Sequence, residues 1–244
     1  MRLFLFLSLS LLARTLCAQP FMHIPAKVGS NQVLAYTQFT ISYNETHEQP
    51  DWVAYELTAE EVSSEQDRCN CFAADRTVTT GSASPDDYKN SGFDRGHLSP
   101  AADNNLSEQT NRESFLLSNM SPQLSSFNSG IWGDLEHWVR NQTENYDTVW
   151  VVTGPVFHNN MGTIGLNKVT IPGYYYKVLL RREKGKYYAI GFLLPHFYSI
   201  GTLKDFAVNV NIIESLTGLD FFPTLPDSIE NSVENQRAFT RWKF

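Results

Sequence analysis

Phe93-Asp94-Arg95-Gly96-His97-Leu98-Ser99-Pro100 packs an acid, a cation, a glycine and an imidazole into one short turn. An imidazole titrates near neutrality, so His97 can take a proton from water. A guanidinium two residues away can neutralise a phosphate through two parallel hydrogen bonds. Gly96 between them lets the backbone come close to a ligand. The trio suits attack on a phosphodiester. By itself it is also what an ordinary surface turn looks like, so its weight depends on what the rest of the chain supplies.

The second half comes from a helix expected over Ser129 to Asn145. Trp132, Leu135 and Val139 recur at i, i+3 and i+7, which makes an apolar stripe. Asn128, Trp132, Glu136 and Arg140 are spaced by four and drift slowly around one side. Eight residues separate Asn128 from Glu136, a rise of about 12 Å. Both reach one region without sharing an ion, so one would ligate while the other orients water. That division suits Mg²⁺, which keeps most of its waters. The bland alternative is a solvated face with a Glu136–Arg140 pair worth about 0.3 kcal/mol.

Outward from these segments, strands dominate. Gln32 to Tyr43 and Trp52 to Leu57 read as strands around the polar turn Asn44 to Pro50, and Ser82 to Asn90 reads as a loop. Ser107 suits the N-cap of a helix over Glu108 to Glu113, and Phe115 to Ser118 reads as a buried strand. Asp147 to Thr153 is a further strand. Tyr174 to Arg181 and Lys186 to Leu194 form a hairpin across Glu183-Lys184-Gly185. Thr202 is expected to cap a helix through Leu216, closed by Gly218. The pattern predicts an α+β fold in one domain, with a central, mainly antiparallel sheet.

Several segments together resemble the DNA/RNA non-specific endonuclease family, the His-Me finger nucleases with a ββα-metal motif. They are Asp51 to Leu57, Asp87-Tyr88, Ser91 to Asp103, Phe115 to Gln123, Phe127 to Trp132, Leu135-Glu136 and Thr153 to Phe157. Order and spacing hold from about residue 33 to residue 222. The resemblance implies that His97 is a general base and Asn128 the sole direct Mg²⁺ ligand, with Mn²⁺ as a substitute. It implies that Glu136 holds a metal-bound water, and that Asn119 and Arg140 assist near the scissile phosphate. Arg95 would contact phosphate, and Arg68 matches a substrate-binding arginine more loosely. DNA and RNA are the implied substrates and 5′-phosphate ends the implied products, because such a site handles backbone phosphate and needs no base edge.

Composition qualifies this. The chain has 244 residues and a formal charge of −7. Arg2, the apolar run Leu3 to Leu12 and the small residues at Cys17-Ala18 read as an export leader ending near residue 18. A buried first strand and a membrane anchor are the competing readings. Without that leader, residues 19–244 form the nuclease domain, secreted or periplasmic. The charge then falls to about −9, with 17 bases against 26 acids. An acidic body binds phosphate backbones poorly, so a local groove of Arg68, Arg76, Arg95, Arg112 and Arg140 is required. Cys69 and Cys71 could bridge in a tight ring or remain half-buried thiols. His47, His137, His158 and His196 read as structural or surface residues, and Tyr174 to Tyr176 as core strand rather than a base-stacking platform. Asn44, Asn105, Asn119 and Asn141 begin glycosylation sequons, with no glycan expected on Asn119. Two other functions compete: a nucleic-acid-binding module that has lost catalysis, and an esterase for small phosphodiesters.

Overall fold

The computed structural model describes residues 24–26, 29–197, 199–237 and 239–244. The expected leader lies outside them. Among the described residues eleven strands form: β1 (Gln32–Ala35), β2 (Phe39–Asn44), β3 (Gln49–Thr58), β4 (Asp94–His97), β5 (Met120–Gln123), β6 (Thr148–Val156), β7 (Thr163–Ile164), β8 (Val169–Thr170), β9 (Tyr174–Glu183), β10 (Lys186–Pro195) and β11 (Ala207–Val208). Seven build one sheet in the order β1-β2-β3-β6-β9-β10-β11. Every neighbour pair in it is antiparallel, so the α+β class with a central antiparallel sheet holds.

Alternation along β9 shows why both faces are covered. Tyr175, Lys177, Leu179 and Arg181 project to one side, and Tyr176, Val178 and Leu180 to the other; all seven are buried. Tyr175 and Leu179 join Tyr55, Trp132, Leu135 and Trp138 in one apolar cluster. Tyr176 and Val178 join Trp52, Val210, Ile213 and Phe221 in another. The first face carries the helix Gly133–Gln142, and the second carries Val210–Thr217 and Asp227–Glu234. Tyr175 and Tyr176 are therefore core residues. Among the described residues, no helix is long and apolar enough to cross a membrane.

The expected hairpin is present. Lys184 and Gly185 both take positive φ, 49° and 80°, as a two-residue turn between right-twisted strands requires. Gly218, at φ 72°, ends the helix Val210–Thr217. Four local expectations are corrected. Gln32 to Tyr43 breaks at Tyr36, whose N–H donates to the Phe39 carbonyl at 2.8 Å and folds β1 back on β2. Phe115 to Ser118 is buried but not a strand. The Phe115 N–H donates to the Arg112 carbonyl, and Leu117–Asn119 winds into a 3-10 turn. The long site helix is kinked, with a wide turn over Asn128–Trp132 and Gly130 outside helical geometry, before regular helix runs over Gly133–Gln142. Thr202 begins only the short turn Leu203–Phe206; Ala207–Val208 then pairs with β10, and Asn209 caps the helix itself.

β4 and β5 form a separate antiparallel pair with Gly96 opposite Ser121 and His97 opposite Met120. Tyr175 ties β5 to the sheet, its hydroxyl donating to the Pro122 carbonyl at 2.7 Å. Packing requires Gly96: a Cβ there would lie 2.2 Å from Oε1 of the fully buried Gln123. Gly96→Ala is expected to cost about 1–3 kcal/mol in urea unfolding, and Gln123→Ala in the same chain to restore most of it. No loss on the single substitution would show that Gln123 moves aside freely.

Candidate active site

β4 delivers the imidazole. The His97 ring is 8% exposed. It stands edge-on to Phe115 with centroids 4.8 Å apart and lies 5.8 Å from Phe72. Its carbonyl accepts from Trp132 Nε1 at 3.3 Å, joining strand to helix. Period-2 alternation puts Arg95 on the same side of β4. The Arg95 guanidinium lies 3.9 Å from the centre of the Phe72 ring, and that of Arg68 lies 4.8 Å from the centre of Phe115. Burial first, then Arg68 and Arg95, push the imidazole down to about 3. His97 is thus neutral at pH 7, and its buried Nε2 has no hydrogen-bond partner. A neutral ring with an unused nitrogen can accept a proton.

The sign of the resulting pH dependence follows. The folded pKa lies below the ordinary value of 6.5, so the unfolded chain binds the extra proton and acid favours unfolding. Between pH 6 and 4 the stability of the wild type relative to His97→Asn should fall by about 1.4 kcal/mol per pH unit. Urea unfolding at several pH values checks this, and a pH-independent difference would contradict it. His196 is buried and pushed down to about 4 by burial, but it is structural. Its Nε2 accepts from the Leu124 N–H, and its Nδ1–H donates to the Pro172 carbonyl.

Asn128 is half-buried at the kink. Its Nδ2 donates to Asp94 Oδ2 at 3.0 Å, and Ser125 Oγ holds the other carboxylate oxygen of Asp94 at 2.7 Å. With the amide nitrogen fixed on Asp94, three residues before His97, the Asn128 carbonyl oxygen is left as the donor for a cation. That is a hard oxygen suited to Mg²⁺ or Mn²⁺. Among the described residues no group of three His, Cys, Asp or Glu ligand atoms converges here. The site therefore fits an ion that keeps its own waters rather than a caged one.

Behind the helix lies a charged cluster. Arg140 Nη1 bonds Asp103 Oδ1 at 2.9 Å, so its partner is Asp103 and not Glu136. The Tyr55 hydroxyl donates to the second Asp103 oxygen at 3.0 Å. Burial raises the Glu136 carboxyl; Lys177 opposes that, Asp103 adds to it, and Arg140 and Arg68 oppose it. Lys177 had no place in the sequence reading. Its ammonium is fully buried, 4.6 Å from the centre of the Trp132 ring and without a hydrogen-bond partner. Asn119 is fully buried as well. Its amide accepts from the Ser99 N–H and donates to the Ser99 and Ser114 carbonyls, which pins the chain just after His97. A glycan there is excluded by burial.

The expected groove is narrower than five arginines. An open cleft of about 490 Å³ brings together Arg68, Phe72, Lys89, Asp94, Arg95 and Asn128. Arg112 lines a different hollow, beside Cys71 and Glu113. Lys89 and Phe72 were not expected in the cleft. Cys69 and Cys71 are joined by a disulfide.

An antiparallel sheet backing a two-strand-and-helix unit, with Arg68, Lys89 and Arg95 lining one open cleft together with Asn128, marks an α+β protein with a site suited to phosphate. The chain belongs to the DNA/RNA non-specific endonuclease family, whose family model matches residues 17–228. It is 38% identical to "Nuclease EXOG, mitochondrial" of Danio rerio over 208 residues, covering 78% of this chain and 60% of that one. It thus spans 60%, less than two thirds, of that relative's length. It is 28% identical to a nuclease of Nostoc over 243 residues, covering 94% of this chain and 88% of the relative. Among solved structures it is similar to the chain described as "Crystal structure of the EndoG/EndoGI complex: Mechanism of EndoG inhibition". The TM-score is 0.77 at 30% identity, covering 82% of this chain and 89% of the other.

Proposed function

We propose that this chain is an Mg²⁺-dependent endonuclease that cuts DNA and RNA with little regard for sequence and leaves 5′-phosphate ends. The observation that carries the reading is the His97 ring, its Nε2 without a hydrogen-bond partner, packed against Phe72 and Phe115, the two rings that carry the Arg95 and Arg68 guanidiniums. His97 Nε2 takes the proton of a water attacking phosphorus in line. Arg95 and Arg68, stacked on Phe72 and Phe115, hold the phosphate oxygens with their planar faces already fixed. Asn128 would hold the cation, which would supply positive charge to offset that developing on the phosphate and the departing 3′ oxygen. Glu136 orients a water that returns a proton to that oxygen. Asn119 acts as a positioning residue, through the backbone that carries His97. None of these contacts needs a base edge or a 2′-hydroxyl, so DNA and RNA are both accepted.

Export is part of the proposal, with residues 1–18 as leader and 19–244 as the catalytic domain. The Cys69–Cys71 disulfide is in keeping with an oxidising compartment. The Danio rerio relative is named mitochondrial, which points to a different address.

Purified protein should nick supercoiled plasmid and degrade single-stranded RNA with Mg²⁺, and EDTA should stop both. Nicking unaffected by EDTA, or hydrolysis of a bis-aryl phosphate with none of a long duplex, would refute the reading. The cleft's three cations, Arg68, Lys89 and Arg95, set the salt response. With two or three phosphates neutralised, kcat/KM should drop roughly 10- to 40-fold between 50 and 200 mM salt. An unchanged kcat/KM over that range would show that substrate enters elsewhere.

A further inference from the structure

On the opposite face of the sheet from His97, three carboxylates converge where two helices end. Glu214 stands in the last turn of Val210–Thr217, Asp220 follows the Gly218 turn, and Glu234 is the last residue of Asp227–Glu234. One oxygen from each lies within 4.8 Å of the other two. Glu234 is only 6% exposed, and its Oε1 is buried with no hydrogen-bond partner. Glu230 presents a second buried, unpartnered oxygen.

This arrangement is electrostatically costly as it stands. A helix C-terminus carries the negative end of the macrodipole and favours cations. Both last turns here hold acids and no base. The charges acting most strongly on Glu214, Glu230 and Glu234 are other carboxylates: Asp220, Asp227 and one another. The Phe221 N–H fixes one Glu214 oxygen at 3.0 Å, so that side chain is held in place.

We propose that Glu214, Asp220 and Glu234 form a structural calcium site that fastens the two C-terminal helices to the back of the sheet. The ligands are all hard oxygens with no imidazole or thiolate, which disfavours zinc and copper. Their origin in two helices and a loop suits the irregular, oxygen-rich shell of Ca²⁺ better than the strict octahedron of Mg²⁺. The helices and the segment between them bury Val210, Ile213, Phe221, Leu225 and Val233 against the sheet, so an ion at their joint stabilises the fold and takes no part in phosphodiester chemistry. The site is independent of the proposed nuclease activity.

Thermal unfolding of the purified full chain tests it, in EDTA, in Ca²⁺ and in Mg²⁺, each ion at about 5 mM. With an affinity near 10⁻⁴ M, Ca²⁺ should raise the Tm by about 5 °C and Mg²⁺ by much less. The shift should persist in Asn128→Ala, which removes the other cation site. It should vanish in Glu234→Gln and in Asp220→Asn, which in EDTA should unfold no earlier than the wild type because a repelling charge is gone. Asp220 is exposed, so its variant carries the test even if Glu234→Gln folds poorly. No calcium shift in the wild type would overturn the site and leave Glu214 and Glu234 sharing a proton. An undiminished shift in Asp220→Asn would also overturn it.

Discussion

His97→Asn should lower kcat on plasmid by about 10³- to 10⁴-fold, with KM little changed. In the proposed mechanism the imidazole would act on the attacking water and contribute little to holding substrate, a task left to Arg68, Arg95 and Lys89. Asparagine is the right replacement, because the ring is buried against Phe115 and Phe72. Alanine would open a void there and mix a folding defect with the chemical one. The substituted chain should keep the wild-type far-ultraviolet spectrum and unfold within a few degrees of it. Near-wild-type turnover would remove His97 from the role of base. A loss seen wholly in KM would place it in substrate binding.

Asn128→Ala should be nearly as severe, about 10³-fold in activity at saturating wild-type Mg²⁺. It would delete the oxygen proposed to hold the cation, and it frees Asp94, whose carboxylate otherwise accepts from Asn128 Nδ2 and Ser125 Oγ. A titration with Mg²⁺ separates this from the His97 defect. Asn128→Ala should need far more metal to reach its own plateau, whereas His97→Asn should saturate at the wild-type concentration. Asp94→Ala leaves the ligand but not its orientation and should cost about 10- to 100-fold in metal affinity. If Asn128→Ala saturated normally with a reduced plateau, the amide would be acting on substrate and the cation would have another holder.

Much of the architecture is legible in the sequence where the periodicity is strong. The β9–β10 hairpin shows through apolar strands flanking Lys184-Gly185, and the site helix through Trp132, Leu135 and Val139. Where local hydrogen bonding competes with pattern, reading fails. Phe115 to Ser118 is apolar enough for a strand, but the turn that ends Glu108–Ser114 captures it. The candidate site divides in the same way. His97, Asn128 and Glu136 stand out as residue types at telling spacings. Asp103 and Lys177 do not, because their meaning depends on partners far away in the chain. A lysine between Tyr175 and Leu179 reads as a stray polar residue until Trp132 is folded over it. Arg140 shows the converse: its helical spacing suggested Glu136, and the fold gives it Asp103 from a distant loop. Gly96 looks like a place for ligand and is a place for Gln123.

The most direct test is a crystal structure with Mn²⁺ and a phosphorothioate oligonucleotide that resists cleavage. Anomalous scattering should place the ion at the Asn128 side-chain oxygen, with the scissile phosphorus between it and the His97 ring, and Arg68 and Arg95 on the same phosphate. An ion bound elsewhere, or a His97 ring more than about 12 Å from the Asn128 amide, would contradict the account, since no single displacement could use both.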